Sequence, residues 1–554
     1  MPDTIPGLLA AAARRDPGGA WLRTDDGSLT FGAAAGAVAR TAAALRAAGI
    51  RHGDPVVLTA RGTPPYLLCW LALCSLGAVA VATNPAGPPA ELAGLLDQVR
   101  PRALVTDGRP ATPRGVEVLD VAALAGDWAA ARPAAGPGES PDSGLGELSD
   151  PGLGELSDPG PGEPPDSGPG EPPDSGPGEP PDPGGESLDP GAVRPDDVAA
   201  LIPTSGTTGR SKLVIQTHRA YAMAGEGFPY WMELTAADRL LTTLPLFHIN
   251  APAYSVLGSL ACGAGLVLLP RFSASGFLDA ARRHGATEFN AIGAMLEILM
   301  RQPERPDDAD NPLRLCYTGP APARERQEQI ERRFGLRIVC GYALSESPYG
   351  LIWPHGSRPF GTLGTPRQHP RLGTVNRARA VTDDGRVAGP GETGELWLSN
   401  PTVTPGYWGM PEETARVLVD GWLRTGDLVT ADADGGYTFV ARIKEVIRRR
   451  GENLSPAEVE EVLAAHPAVA ECAVVGVPSD LSEEDVKAFV VAVPGAAPDL
   501  AALRGWAAQR LAAFKVPRYW QVLDDLPRTP TARVAKHRLP PGHPPEEYDA
   551  EEAP

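Results

Sequence analysis

Thr204-Ser205-Gly206-Thr207-Thr208-Gly209-Arg210-Ser211-Lys212 gathers in one short run the groups that a polyphosphate needs. Its glycines free the backbone to turn tightly and bare their N–H groups, the hydroxyls add donors, and Arg210 and Lys212 bring positive charge. The GxxxxGK[ST] spacing of a Walker loop is absent, so the run is a phosphate cradle of another kind. A plain Ser/Thr/Gly turn is the alternative, and a run of this length and composition argues against it. Metal and disulfide chemistry find no such support. The six cysteines, Cys69, Cys74, Cys262, Cys316, Cys340 and Cys472, form no CxxC pair and have no His-x-x-x-His companion, a pattern that suits reduced thiols in a cytosol.

Around the loop, apolar helical patterns alternate with short Val/Leu/Ala strands. The apolar stretch Val198 to Ile202 leads into the loop. Helices are predicted from about Phe31 to Ala48 and from about Arg324 to Phe334, and strands at Val56-Val57-Leu58 and Ala103-Leu104-Val105. The longest apolar run, Tyr66 to Thr83, is broken by Ser75 and Gly77, so it reads as a buried helix, a glycine stop and a core strand rather than a membrane span. This alternation predicts an α/β fold built on helix-flanked, largely parallel sheets. After Arg442 the pattern changes: Ser455-Pro456-Ala457-Glu458 reads as a capping box opening a helix to about Ala465, followed by strands at Cys472 to Val475 and Ala488 to Val493. This part is a smaller α+β unit.

The chain has 554 residues, enough for more than one unit, and 42% of them are hydrophobic. Its net charge of −19 argues against nucleic acid or anionic lipid as a partner. Gly 63 and Pro 61 are together close to twice ordinary usage. About two thirds of the net charge, and part of the Gly and Pro excess, trace to an octad, Gly-x-Gly-Glu-x-x-Asp-x, whose copies begin at Gly136, Gly144, Gly152, Gly160, Gly168 and Gly176. Six copies carry twelve acids and no Lys or Arg. Such a segment cannot build a core and is expected to be a disordered, self-repelling insert at about 134–192. A calcium-binding repeat is the alternative reading. The start, Met1-Pro2-Asp3-Thr4, has no signal-peptide order, so a cytoplasmic protein is expected.

The motifs that follow resemble, in order, those of the adenylate-forming enzymes, a family that includes acyl-CoA synthetases, stand-alone adenylation domains and luciferases. Thr204 to Lys212 is similar to the family's signature loop, and Leu244-Pro245-Leu246-Phe247-His248 to its acyl-pocket segment. Tyr317-Thr318-Gly319-Pro320-Ala321-Pro322 resembles the loop beside adenine, Gly341-Tyr342-Ala343-Leu344-Ser345-Glu346 the YGxTE motif, Gly394-Glu395-Leu396 the GEL motif and Thr425-Gly426-Asp427 the TGD motif. Arg442 to Glu460 is similar to the hinge and GEN loop. The resemblance covers nearly the whole chain outside the octads.

It implies a large AMP-binding domain at 1–441 and a small mobile domain at 442–544, with 545–554 as a disordered tail. The implied reaction joins a carboxylate to ATP, giving an acyl-adenylate and pyrophosphate, and then passes the acyl group to a thiol, most simply that of CoA. Thr204, Ser205, Gly206, Thr207, Thr208, Gly209 and Lys212 would hold phosphates. Glu346 would hold Mg2+, and hard carboxylate oxygen suits that ion. Gly319, Pro320, Ala321, Gly341, Tyr342, Ala343, Leu344 and Ser345 would line the nucleotide, with Tyr342 facing adenine or packed as a core residue. Asp427 and Arg442 would take the ribose. The pivot falls at Lys444, and Gly451 would let the swinging loop approach closely. Arg448 and Arg449 belong either to that loop or to a solvated charge run.

The chain departs from the family at its end. Where the motif reads PRTxxGKxxK, this sequence has Pro527-Arg528-Thr529-Pro530-Thr531-Ala532-Arg533-Val534-Ala535-Lys536. The catalytic lysine position is Arg533, a planar fork in place of a point donor. Arg533 is favoured as the functional cation, with Lys536 reaching in as the alternative. Ala343 would narrow the acyl site. Glu226-Gly227-Phe228-Pro229-Tyr230-Trp231, with His248 and Asn250, supplies polar and aromatic groups, and His248 is either a substrate ligand or a packed histidine. These features favour a compact or aromatic acid. Other acceptors (a carrier-protein thiol or an amine), activation of nitrite for diazotisation, and a nucleotide-binding protein with impaired catalysis are the competing readings.

Overall fold

The computed structural model describes residues 3–108, 116–131, 192–204, 212–292, 295–449, 452–479, 484–496, 498–529, 534–544 and 547–550. The octads, Ser205 to Ser211, Gly451 and Arg533 lie outside the described residues.

Two sheets of the expected kind make up most of the chain. The first runs in the order Glu117–Asp120, Ala103–Thr106, Pro55–Thr59, Val79–Ala82, Val198–Thr204 and Lys212–Thr217, and only the last strand is antiparallel. Both faces are covered, as parallel strands require: one by the main core, the other by Leu95, Leu96 and Val99 of the helix Pro89–Val99. The second sheet has nine strands with a parallel centre and antiparallel edges. In it Leu315–Thr318 lies parallel to Arg337–Leu344, which turns back antiparallel as Ser347–Ile352. The helix Pro64–Leu76 is buried nearly all round and stops at Gly77, whose φ of 68° is the left-handed cap that glycine adopts without strain. Among the described residues no helix is long and apolar enough to cross a membrane.

Two features differ from the sequence expectation. A third, fully antiparallel sheet spans residues 377–442, and its strands Trp422–Ala431 and Tyr437–Arg442 place Asp427 directly opposite Arg442. The helix Pro456–Ala464 forms, but the capping box does not. Ser455 donates its hydroxyl to the Val440 carbonyl at 2.6 Å, and Glu458 pairs with Lys515 at 2.6 Å. Tertiary partners displace the local bonds. The smaller unit has its own core of Ile447, Val459, Leu463, Val474, Val490, Leu503 and Trp520.

Glu288, in the centre of the nine-stranded sheet, is fully buried, and neither carboxyl oxygen has a partner among the described residues. Burial, with Asp238 nearby, pushes its carboxyl well above the usual range. A carboxyl whose pKa rises on folding adds stability only below its unfolded value of about 4.3, and costs more as pH climbs above it. Glu288→Gln should therefore raise stability by about 1–3 kcal/mol near neutral pH, with the gain shrinking toward about pH 5. Thermal melts across that range check this. A gain independent of pH contradicts it.

Candidate nucleotide-binding site

The site forms where the two large sheets and the third sheet meet. Thr204 and Lys212 face each other at the end of the hairpin that carries the Ser/Thr/Gly loop, and the Thr204 hydroxyl donates to the Lys212 carbonyl at 3.3 Å. The Lys212 ammonium ion-pairs with Glu413 and lies 4.8 Å from the centre of the Tyr407 ring. Tyr407 in turn donates its hydroxyl to Glu346 at 2.9 Å. The backbone holds the same parts together: Thr404 N–H donates to the Glu346 carbonyl at 2.7 Å, and the Gly406 and Leu213 carbonyls accept from Ile215 and Trp408. Gln216 donates its side-chain amide to the Ser345 carbonyl. Lys212 and Glu346, which are 134 positions apart in sequence, are thus linked through one tyrosine.

Glu346 and Ser345 occupy the turn between Arg337–Leu344 and Ser347–Ile352. On the same hairpin Tyr342 donates its hydroxyl to Asp427 at 2.6 Å. Arg442 Nε lies 3.0 Å from the other oxygen of Asp427. Burial raises the Asp427 carboxyl above its ordinary range, against the opposing pull of Arg442 and Tyr342. Tyr342 and Leu344 also pack against the core of the third sheet. Gly319 touches the hairpin directly: a Cβ there would come 2.0 Å from the Gly341 carbonyl oxygen. Gly319, Gly341, Tyr342, Ser345, Glu346, Asp427, Arg442 and Lys212 therefore converge on one hairpin, with Pro320, Ala321 and Ala343 adjoining.

The remaining candidates lie elsewhere or have other employment. His248 packs beside Phe247, with ring centres 4.6 Å apart, in the segment leading to Ala251–Val256. Asn250 accepts from Asn290 at 2.7 Å. Glu226 is no open substrate group: Arg371 grips it at 3.0 and 2.9 Å, and His369 lies 3.3 Å away. Against the burial that would raise it, His369 and Arg371 hold the Glu226 carboxyl down at about 2. Lys444 sits in the turn Ile443–Glu445, directly after the ribose-side arginine. Lys536 lies 2.8 Å from Glu460 and 3.8 Å from Glu445, within the smaller unit and its hinge. Arg449 is not part of a solvated run; it is buried, 2.9 Å from Asp485, and donates to the Val516 carbonyl, while Arg448 is exposed.

Tyr407, Glu413 and Gln216 were not candidates from sequence. Tyr407 and Glu413 lie outside every motif quoted above, and Gln216 lies just past the Ser/Thr/Gly loop. Among the described residues no cluster of three metal-ligating side chains occurs. A single carboxylate nonetheless fits magnesium, which takes one or two carboxylates and completes its shell with substrate phosphates and water. Only one Glu346 oxygen accepts from Tyr407.

A family model for AMP-binding enzymes matches residues 9–408, and one for the C-terminal domain of AMP-binding enzymes matches residues 458–533. The sulfoacetate–CoA ligase of Cupriavidus necator is 35% identical over 351 residues, which cover 62% of this chain and 67% of that protein. The crotonobetaine/carnitine–CoA ligase of Salmonella arizonae is 29% identical over 518 residues, 90% of each. Among solved structures, o-succinylbenzoate CoA synthetase (MenE) of Bacillus subtilis in complex with its acyl-adenylate has a TM-score of 0.77 at 25% identity, covering 98% of this chain and 99% of that one. ATP-bound MatB of Rhodopseudomonas palustris has a TM-score of 0.78 at 25% identity, covering 97% and 98%. The resemblance carried by the sequence motifs thus holds across fold, domain content and relatives, and the chain belongs to the AMP-binding enzyme family.

Proposed function

We infer that the protein is an ATP- and magnesium-dependent ligase of the AMP-forming type, which adenylates a carboxylic acid and transfers the acyl group to CoA. The observation that carries this reading is the convergence of Lys212, Glu346, Tyr342, Asp427 and Arg442 on one hairpin. A carboxylate must attack an α-phosphorus that is itself surrounded by negative oxygens, so the barrier is electrostatic and positive groups must be in place beforehand. Bound magnesium would supply part of that charge, held by Glu346. Lys212 is kept beside the phosphate hairpin by Glu413, and an incoming polyphosphate competes for it as a second anion. Asp427 is oriented by Tyr342 and Arg442 so that its remaining lone pairs can accept from the two ribose hydroxyls. The acid oxygen forms a bond to the α-phosphorus as pyrophosphate leaves. In the second step the thiolate sulfur of CoA attacks the acyl carbonyl and AMP departs. The smaller domain, taken as 442–544 and pivoting at Lys444, reorients between these steps. The cysteine pattern, together with the need for ATP and CoA, supports a cytoplasmic reaction.

For the adenylation cation, Arg533 is preferred over Lys536 because Lys536 already has Glu460 and Glu445 as partners. Arg533→Ala should lower the rate of pyrophosphate release by about 100-fold or more. Lys536→Ala should lower it by less than about tenfold, since its loss chiefly leaves Glu460 unpaired. The opposite ranking in a coupled pyrophosphate assay would transfer the role to Lys536.

Tyr407 offers a second test, since it joins Lys212 to Glu346 and touches no reacting atom. Tyr407→Phe removes one hydrogen bond to a carboxylate, worth about 1.5–3 kcal/mol. The expected result is a magnesium activation curve shifted to higher concentration by about tenfold, with a smaller change in kcat. An unshifted magnesium curve contradicts the positioning role of Tyr407.

A further inference from the structure

The smaller unit buries Arg449, Asp485 and Lys487, and the end of the chain is tied to them. Within the stretch expected as a tail, Tyr548–Asp549 forms an edge strand antiparallel to Tyr519–Leu523, with Asp549 opposite Tyr519. Two grips hold it there. Lys487, on the strand Glu484–Ala492, has its Nζ 2.5 Å from Glu547 and donates to the Gly542 carbonyl at 2.8 Å. His543 meets the other oxygen of Glu547 at 2.5 Å, and its ring centre lies 4.2 Å from that of Tyr519. Arg518 supplies the second grip, donating from Nε and Nη2 to Asp549 at 3.1 and 2.9 Å, while its carbonyl accepts from the Ala550 N–H. A guanidinium fork on a carboxylate fixes direction as well as distance.

The remaining terminal nitrogen of Arg518, Nη1, donates to Asp485 at 3.1 Å. The other oxygen of Asp485 lies 2.9 Å from Arg449 Nε. One carboxylate thus joins two arginines, Arg518 leading to the end of the chain and Arg449 to the hairpin of Ile447–Arg449 with Glu452–Leu454. Arg449 Nη1 also donates to the Phe514 and Val516 carbonyls, and the Arg448 N–H donates to Glu484, the neighbour of Asp485, at 3.0 Å. Water screens these buried pairs little, and removing one partner leaves a charge without compensation. The hairpin begins three residues after Lys444, the pivot of the reading above. A hairpin that meets its ligand only after a domain movement has to take its geometry from within the unit that moves, on supports that are themselves locked.

We propose that the end of the chain is a positioning strap for thioester formation: Asp549, through Arg518 and Asp485, fixes Arg449 and thereby the hairpin that is brought to the acyl-adenylate when CoA reacts. Asp549, Asp485 and Arg449 are positioning residues and touch no reacting atom. Adenylation precedes that movement and does not need the strap. This proposal rests on the ligase reading above, and the experiment separates the two.

The full-length protein, Asp549→Asn and Asp485→Asn are compared in ATP–pyrophosphate exchange and in CoA thioester formation, with acetate, butanoate, malonate, succinate and benzoate as the acids. The amide keeps the shape and removes the charge, and Asp549 lies on the edge strand, outside the core of the smaller unit. Pyrophosphate exchange should stay within about twofold of wild type. Thioester formation should fall about tenfold or more in Asp485→Asn and about three- to tenfold in Asp549→Asn, since each loses a charge-assisted bond. Asp549→Glu should recover part of that loss. Hydrogen exchange of the Ile447–Leu454 amides, which needs no substrate, should be about tenfold faster in Asp549→Asn. Should Asp485→Asn fail to fold, Asp549→Asn decides. An equal fall in both half-reactions, no fall in either, or unchanged hydrogen exchange overturns the strap and leaves the ligase reading standing. Wild-type protein that exchanges pyrophosphate with none of the acids overturns the ligase reading and the strap's part in it together.

Discussion

The contact between Gly319 and Gly341 governs the site. Two parallel strands, Leu315–Thr318 and Arg337–Leu344, run side by side with Thr318 opposite Cys340, and the next residue on each is glycine. The chains then approach so closely that a Cβ at 319 would overlap the carbonyl of 341. Everything around this point inherits its position from that approach. Tyr342 is directed to Asp427 on the third sheet, the turn at Glu346 is brought beneath Tyr407, and Tyr317 is pressed against Arg367. A ligand site at the carboxyl ends of parallel strands is what an open α/β sheet favours, and here glycine lets the backbone itself form the floor.

Charge is the second organising feature. The ionised groups beside the hairpin are largely matched: Lys212 by Glu413, and Asp427 by Arg442 and Tyr342. Such pairing fixes side-chain directions before the substrate arrives, and preorganised charge costs no rearrangement when negative charge builds up on phosphate. On the proposed reading, ATP would gain less from Lys212 than the bare Coulomb attraction suggests, since Glu413 would have to be displaced or shared. Arg367 stands apart from this pattern. Its hydrogen-bond partners are two phenol hydroxyls and a carbonyl, and the rings of Trp231, Tyr254 and Tyr317 pack around it.

Much of the fold was legible because it is local. The helix Arg324–Phe334 and the strand–helix order around Phe31 and Pro64 follow from apolar period and glycine stops. What escaped depends on partners distant in sequence. Glu413 reaches Lys212 across 201 positions, and Gln216 reaches Ser345 across 129. No local pattern encodes such pairs. The capping box failed for the same reason, as Ser455 found Val440 and Glu458 found Lys515. Arg449, one of three consecutive arginines, stood open between a swinging loop and a solvated run, and the smaller unit instead brings Asp485 and the Val516 carbonyl to it.

The net charge of −19 poses a last physical question, since both ATP and the acid are anions. A uniform charge of this size would slow their approach, but exposed charges are screened beyond about 8 Å at physiological salt. Twelve of the acids belong to the octads, which contain no base. The potential met by an arriving nucleotide is therefore set by its immediate neighbours. Lys444 and Arg448 are exposed shortly after Arg442, which is half-exposed beside Asp427, and Lys212 stands opposite Thr204 at the end of its hairpin. The field at short range follows the arrangement of charges and not their sum, and these bases stand against Glu413, Asp427, Glu346 and Glu445.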